Sequence, residues 1–250
     1  MIDLVRGELL KLRTTRMLYG FVGGLFVIIG ILVVVTVIDT SAADLAREED
    51  QAGMYGAAAT GIIFILLLGV MIMSGEFRHG TITQTLLITP NRWKVLAAKL
   101  IAAAIGGFVI GVIAEVFTFA LFVPLLKLKG VDIVFEDEAR SYVIGSILAT
   151  TLWGPLGVAV GSLMRNQVAA IIVVFAALLI VEPILTGALE SRWPEIPKYF
   201  PVHLISGVIG DDPETLSRGV SSAVVLAYVL VLSALGGRFV LQRDVNSIQA

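Results

Sequence analysis

Six long apolar runs, separated by shorter polar stretches, set the plan of this chain. They fall at about 17–38, 54–74, 95–126, 141–164, 168–189 and 219–240. About 20 residues at 1.5 Å each cross the roughly 30 Å of bilayer hydrocarbon, so each run predicts a membrane-spanning helix. The third run is longer than a bilayer needs and must tilt or project beyond it. Before the first run, Ile2, Val5, Leu9 and Leu12 fall near one helical face of residues 1–16. Asp3, Arg6, Glu8, Lys11 and Arg13 lie largely elsewhere, which predicts an amphipathic helix in the plane of the membrane interface. The same charges would suit the start of a signal peptide, but the following apolar run is too long for one and predicts an uncleaved anchor. The polar stretches 39–53 and 127–140 read as acidic loops, 190–218 as a longer connector, and Arg165-Asn166-Gln167 as a tight turn. The expectation is an all-α integral membrane protein, a single domain over 1–250 with a short polar tail.

Residues 75–99, GEFRHGTITQTLLITPNRWKVLAAK, form a polar island between the second and third runs. Gly80 loosens the helix descending from the second run. Thr81-Ile82-Thr83-Gln84 has the spacing of a capping box, with the Thr81 hydroxyl taking a backbone N–H and Gln84 reaching back. Thr89-Pro90 stops the segment, because a residue before proline avoids α geometry, and Pro90 suits the first turn of the next helix. A short rigid helix over about Ile82–Ile88, lying across the end of a helix bundle, follows.

Glu76, Gly80 and Thr81, followed by Leu86-Leu87, Pro90, Arg92 and Ala98-Lys99, resemble the first cytoplasmic segment of ABC type-2 transporter permeases. The hydropathy pattern extends the likeness over nearly the whole chain, and residues 1–16 match the elbow helix of that family. The resemblance implies that 75–94 is a coupling segment whose short helix docks into a groove on a separate ATPase subunit. Glu76, Arg78, Gly80, Thr81, Ile82, Leu86, Leu87, Pro90 and Arg92 are its candidate docking or hinge residues. It further implies two permease subunits, identical or paralogous, and export of a drug, peptide or lipid-like substrate from a bacterial cell.

The composition agrees with a membrane protein: 57% hydrophobic, 15% charged, mean hydropathy +0.94. With both termini inside, the inner segments carry Arg6, Lys11, Arg13, Arg16, Arg78, Arg92, Lys94, Lys99, Arg165, Arg238 and Arg243, a majority of the 18 basic residues. That satisfies the positive-inside rule. Of the 20 acidic residues only Asp3, Glu8, Glu76 and Asp244 fall inside, which corroborates the assignment. The absence of cysteine excludes disulfides and thiolate metal sites. No Gly-x-x-x-x-Gly-Lys-Ser/Thr loop occurs, so this chain is not expected to cradle a triphosphate by that means; the resemblance then implies ATP and magnesium on the partner ATPase and no cofactor on this chain. No nucleophile–base constellation or His-Glu-x-x-His helix points to an enzyme. His79 and His203 fall on opposite sides of the membrane, and the basic residues of the island are too few for nucleic acid.

Glu115 and Glu182 are the acids deepest in the spans. A carboxyl in lipid is costly, so each is expected to face the bundle interior or a watery cavity. One reading puts them on a translocation path or gate, with Pro183 kinking the fifth span and Phe200 in an outer lid. The other gives each a structural hydrogen bond to a neighbouring side chain. An ion-coupled carrier or channel using these two glutamates is the alternative function. The connector, with Trp193, Tyr199 and Phe200 among prolines, reads either as a lid or as an interface anchor, and Val202–Ile209 is apolar enough to dip back into the membrane. Gly107-x-x-x-Gly111 and Gly157-x-x-x-Gly161 allow close helix contact, within a subunit or across a dimer, and Gly154-Pro155 is a candidate flex point.

Overall fold

The computed structural model describes residues 1–164, 166–210 and 212–239. Arg165, the predicted tail with Arg243 and Asp244, and the last position of the sixth run lie outside them. Every regular element among the described residues is helical. The six spans are Leu18–Asp39, Ala57–Arg78, Arg92–Leu128, Asp137–Ser162, Gln167–Leu189 and Arg218–Arg238, all long and apolar enough to cross a membrane.

Helix α1 (Ile2–Thr14) breaks at Thr15 and is followed by α2 (Arg16–Asp39), the first span. The second span is α5 (Ile62–Arg78) with a preceding 3₁₀ turn (Ala57–Gly61). The short helix α6 (Thr81–Ile88) then leads to α7 (Arg92–Leu128). At 37 residues α7 is about 55 Å long, well beyond the hydrocarbon thickness. Helix α8 (Asp137–Ser162) is the centre of the bundle and packs on α5, α7 and α12 (Arg218–Phe239).

The spans divide by burial. In α5 and α8, 67% of the apolar window is enclosed, against 22% in the first span and 17% in the fifth. The outer two therefore expose long apolar faces, as lipid or a neighbouring subunit would require. Small residues let the inner helices approach. A Cβ on Gly157 would overlap the Leu66 carbonyl of α5, and one on Gly107 would overlap the Thr150 carbonyl of α8. Both Gly-x-x-x-Gly pairs thus serve packing within the subunit. Pro155 lies inside α8, buried against its neighbours, and the helix runs through Gly154-Pro155 without a break.

The predicted acidic loop 39–53 is not a loop. It folds into α3 (Ala42–Leu45), capped by Ser41, and α4 (Glu48–Tyr55), and Gln51 within α4 is completely buried and hydrogen-bonded. Its amide donates to the carbonyls of Leu45 at 2.8 Å and Asp132 at 2.9 Å, and its oxygen accepts from Val134 N at 2.9 Å. Lys129 Nζ donates to the Thr40 carbonyl at 2.6 Å, and Tyr55 packs among Phe119, Phe122 and Phe135. The segments after α2 and after α7 are thereby tied together at one end of the bundle. The fifth span is α9 (Gln167–Ala176), a π turn (Ala177–Val181) and α10 (Glu182–Leu189). Pro183 explains the π turn: it lacks an N–H, its ring would strike the carbonyl four residues back, and a wider turn makes room. The connector holds a 3₁₀ turn (Pro197–Tyr199) and α11 (Pro201–Ile209), which packs on α8 and α12.

Candidate functional site

The polar island is built by three terminations in succession. Helix α5 runs through Glu76 to Arg78, and Gly80 then takes a left-handed conformation, φ 67° and ψ 8°, that any side chain would strain. Helix α6 starts directly at Thr81. The expected capping box is not formed. Gly80 occupies the cap position, and no side chain accepts a cap hydrogen bond. Thr81 sits inside the helix, where its carbonyl accepts from Thr85 Oγ1. Thr89, non-helical at φ −128° and ψ 89°, ends α6 before Pro90. Pro90 is not in the first turn of α7. Asn91 caps that helix instead, its Oδ1 accepting from Lys94 N at 3.2 Å. Asparagine before an apolar helical run is a cap signal in the sequence that the proline overshadowed.

Helix α6 is attached to the bundle through Ile82, 7% exposed, while Leu87 and Ile88 are 78% and 84% exposed. Leu86 is half-buried. The outward apolar pair is therefore Leu87–Ile88.

Behind α6 lies a closed ring of four ion pairs. Lys11 Nζ meets Glu8 at 2.7 Å and Glu76 at 2.8 Å, and Lys99 Nζ meets both Glu8 and Glu76 at 2.8 Å. Each lysine thus bridges both glutamates. The ring joins α1, the end of α5 and the start of α7, the two helices that flank α6. Lys99 is wholly enclosed; Glu8 and Glu76 are 6% and 8% exposed. Glu8 therefore faces the bundle, whereas Ile2 at the start of α1 is 69% exposed. Two buried carboxylates require nearby cations, and Lys11 and Lys99 supply them. Lys11 keeps about half its side chain in solvent. Burial works against its charge, but the hydrogen bonds and charges of Glu76 and Glu8 outweigh that and hold its pKa above the ordinary lysine value. Arg78 Nη1 reaches Gln167 Oε1 at 3.5 Å, tying the end of α5 to the start of α9. Arg92 is half-buried at the head of α7 and joins no part of the ring.

The two intramembrane acids are held separately. Glu115, 3% exposed, accepts a hydrogen bond from Ser146 Oγ across the contact between α7 and α8. Glu182 accepts from Val202 N at 2.7 Å and lies 3.4 Å from His203 Nδ1. A side chain from α10 thus caps the N-terminus of α11, with Phe200 in the cap position and Pro201 at the first helical residue. At the other end, Arg218 Nε donates to the Val208 carbonyl at 2.8 Å, and its Nη2 donates to the Ile209 carbonyl at 2.6 Å and Ser141 Oγ at 2.7 Å. The connector helix is clamped at both ends by charged side chains of the flanking spans. Nothing in the sequence distinguished Arg218 from an ordinary flanking cation.

His79 borders α6 and His203 lies on α11, at opposite ends of the bundle. Among the described residues no three His, Asp or Glu side chains gather as a metal site would require.

Residues 4–181 match the sequence model of a family described as ABC-2 family transporter protein. No curated protein matches the chain.

Proposed function

Since this chain belongs to the ABC-2 family of transporter proteins, and is a multi-pass membrane transport subunit, we propose that it is the permease of an ATP-driven exporter whose power comes from a separate ABC ATPase docking on α6. The observation that carries this reading is the pairing of an exposed apolar tip with a rigid mount. Leu87 and Ile88 point away from a helix that is rooted at both ends in α5 and α7, and those two helices are locked to each other and to α1 by the ion-pair ring. Apolar side chains so exposed on a short helix favour a protein partner.

ATP and magnesium sit on the partner in this scheme. Two ATPase subunits close on ATP and push α6. The ring transmits the displacement to α1 and so to the first span, while α5 and α7 carry it along the bundle. Helix α11 forms the outer lid. A second permease subunit, a copy or a paralogue, covers the exposed faces of the first and fifth spans. The protein resides in a bacterial cytoplasmic membrane with both termini inside, and exports a drug, a peptide or a lipid-like molecule.

Co-purification with the candidate ATPase tests the dock. Tagged wild-type chain retains the ATPase, and a folded Leu87→Asp/Ile88→Asp variant loses it. Retention unaffected by the double change refutes docking through α6.

A further inference from the structure

The start of α7 and the end of α12 meet at one point. A Cβ on Gly237 would overlap the indole of Trp93, so the two helices touch there. Gly236, one residue earlier, is pressed as closely on Ser162 at the end of α8. Arg238 closes the sixth span, so this junction lies where the bundle leaves the hydrocarbon. Trp93 is 46% exposed, and a half-exposed indole at that level suits the headgroup region.

Helix geometry sets what surrounds the indole. Helix α7 begins at this end of the bundle and α12 finishes there, so the two run in opposite directions. On antiparallel helices the residues that follow a contact pair turn to the same side of the contact, about 100° from it. Those residues are Lys94 and Arg238, both exposed. Arg92, which precedes Trp93, turns to the other side. The described acids of this end are engaged elsewhere: Glu8 and Glu76 are held in the ring, and Asp3 lies 3.9 Å from Arg6. The first turn of α7 holds no acid. Lys94 and Arg238 are therefore two neighbouring cations without a carboxylate among the described residues. From them an apolar stripe runs on into the membrane. Ile101, Ile105 and Phe108 share the helical face of Lys94, Val231 shares that of Arg238, and all four are exposed.

We propose that this notch holds one anionic phospholipid of the leaflet bordering it, with its phosphate between Lys94 and Arg238, its glycerol backbone against Trp93 and one acyl chain along Ile101, Ile105 and Phe108. Paired cations at helix ends, set above an apolar face, are the arrangement that receives such a headgroup. A zwitterionic lipid brings its own cation to the two basic groups and gains less. The stripe decides for lipid over a protein partner, because it continues from the cations into the hydrocarbon, where a soluble ATPase does not reach. The site is formed by this chain alone and uses neither Leu87 nor Ile88.

Quenching of Trp93 reports occupancy. The chain has three tryptophans, and the difference in emission between wild type and Trp93→Phe isolates this one. Protein in dodecylmaltoside micelles, without ATPase, is titrated with phosphatidylglycerol or phosphatidylcholine carrying dibrominated acyl chains. The expected result is half-maximal quenching at about tenfold lower concentration of the phosphatidylglycerol. Lys94→Gln/Arg238→Gln brings the two lipids to within about twofold of each other. Arg92→Gln removes a cation of the same helical turn on the other side and keeps the preference. Exchanging the cations, Lys94→Arg/Arg238→Lys, also keeps it. Gel filtration establishes that each variant is folded. Equal quenching by the two lipids, a preference that survives the double glutamine change, or one lost equally with Arg92→Gln overturns the proposal. A patch that serves the ATPase or a second permease instead gives the first of these results. Since no ATPase is present, such a result leaves docking on α6 unaffected.

Discussion

Lys99 and Glu76 meet at 2.8 Å across the segment that carries α6, one on the helix that follows it and one on the helix that precedes it. The pair closes the base of α6 and, through Glu8 and Lys11, brings α1 into the same unit. A short helix on flexible strands would absorb a push; one whose two roots are fixed to each other passes it on.

Removing Lys99 is expected to be far more damaging than its position at the edge of the island suggests. Lys99→Met leaves Glu8 and Glu76 facing each other with only a half-exposed lysine between them. Breaking a buried pair by deleting one partner costs about 3–5 kcal/mol. The triple change Glu8→Gln/Glu76→Gln/Lys99→Met removes the uncompensated charge and restores part of the loss. Thermal unfolding of the detergent-solubilised protein compares the two; equal stability of Lys99→Met and wild type contradicts the ring.

Lys11 gives the ring a pH signature. Its pKa is raised in the folded protein, so its contribution is fully present below the unfolded lysine value of about 10.4 and is lost as pH rises through the folded value. The difference in melting temperature between wild type and Lys11→Met is expected to hold constant from pH 7 to 9 and to narrow above pH 10.5. A difference that stays flat to pH 12 excludes this linkage.

Helix α11 is expected to loosen when either clamp is cut. Arg218→Met strands the carbonyls at its C-terminus and Glu182→Gln weakens the acceptor at its N-terminus. Each substitution costs about 1–3 kcal/mol. Amide exchange is the measurement: protection within 202–209 falls selectively, while that of α8 is retained. Uniform loss across both helices argues against a local clamp.

Packing between α5 and α8 depends on absent side chains. Gly157→Leu drives a side chain into the Leu66 carbonyl and is expected to abolish folding, whereas Gly187→Ala, with open space around it, is expected to leave the melting temperature within about 2 °C. Gel filtration and thermal unfolding distinguish them. A folded Gly157→Leu variant refutes the contact.

The spans were legible because a bilayer imposes one rule, about 20 apolar residues in succession, that is written locally. The island was legible as a break between them, and Thr89-Pro90 marked the end of α6. The ring was not. Glu8 lies far from Glu76 and Lys99 in the chain, and Glu76 reads as a docking or hinge residue rather than as a partner of Lys99; only the bundle brings the three together. The same holds for Gln51, which in sequence is one more polar residue of an acidic stretch and in the fold ties two segments. The capping box failed for a different reason: Gly80, free to adopt the left-handed conformation, takes the cap position, so Thr81 enters the helix as its first residue and is one place too late to act as the cap. Glu115 and Glu182 were recognisable as enclosed acids, but their partners, Ser146 and the N-terminus of α11, are set by tertiary contact.

Docking of an ATPase on the exposed tip of α6 is the claim from which the rest of the mechanism follows, and the absence of cysteine makes it directly measurable. Single Leu87→Cys and, as a control at the opposite end of the bundle, Ile133→Cys variants are treated with a thiol-to-amine crosslinker in membranes containing the candidate ATPase. Crosslinking of the ATPase to position 87 and not to position 133 is the predicted result. Crosslinking at neither position, or at both alike, contradicts α6 as the site through which the transporter is driven.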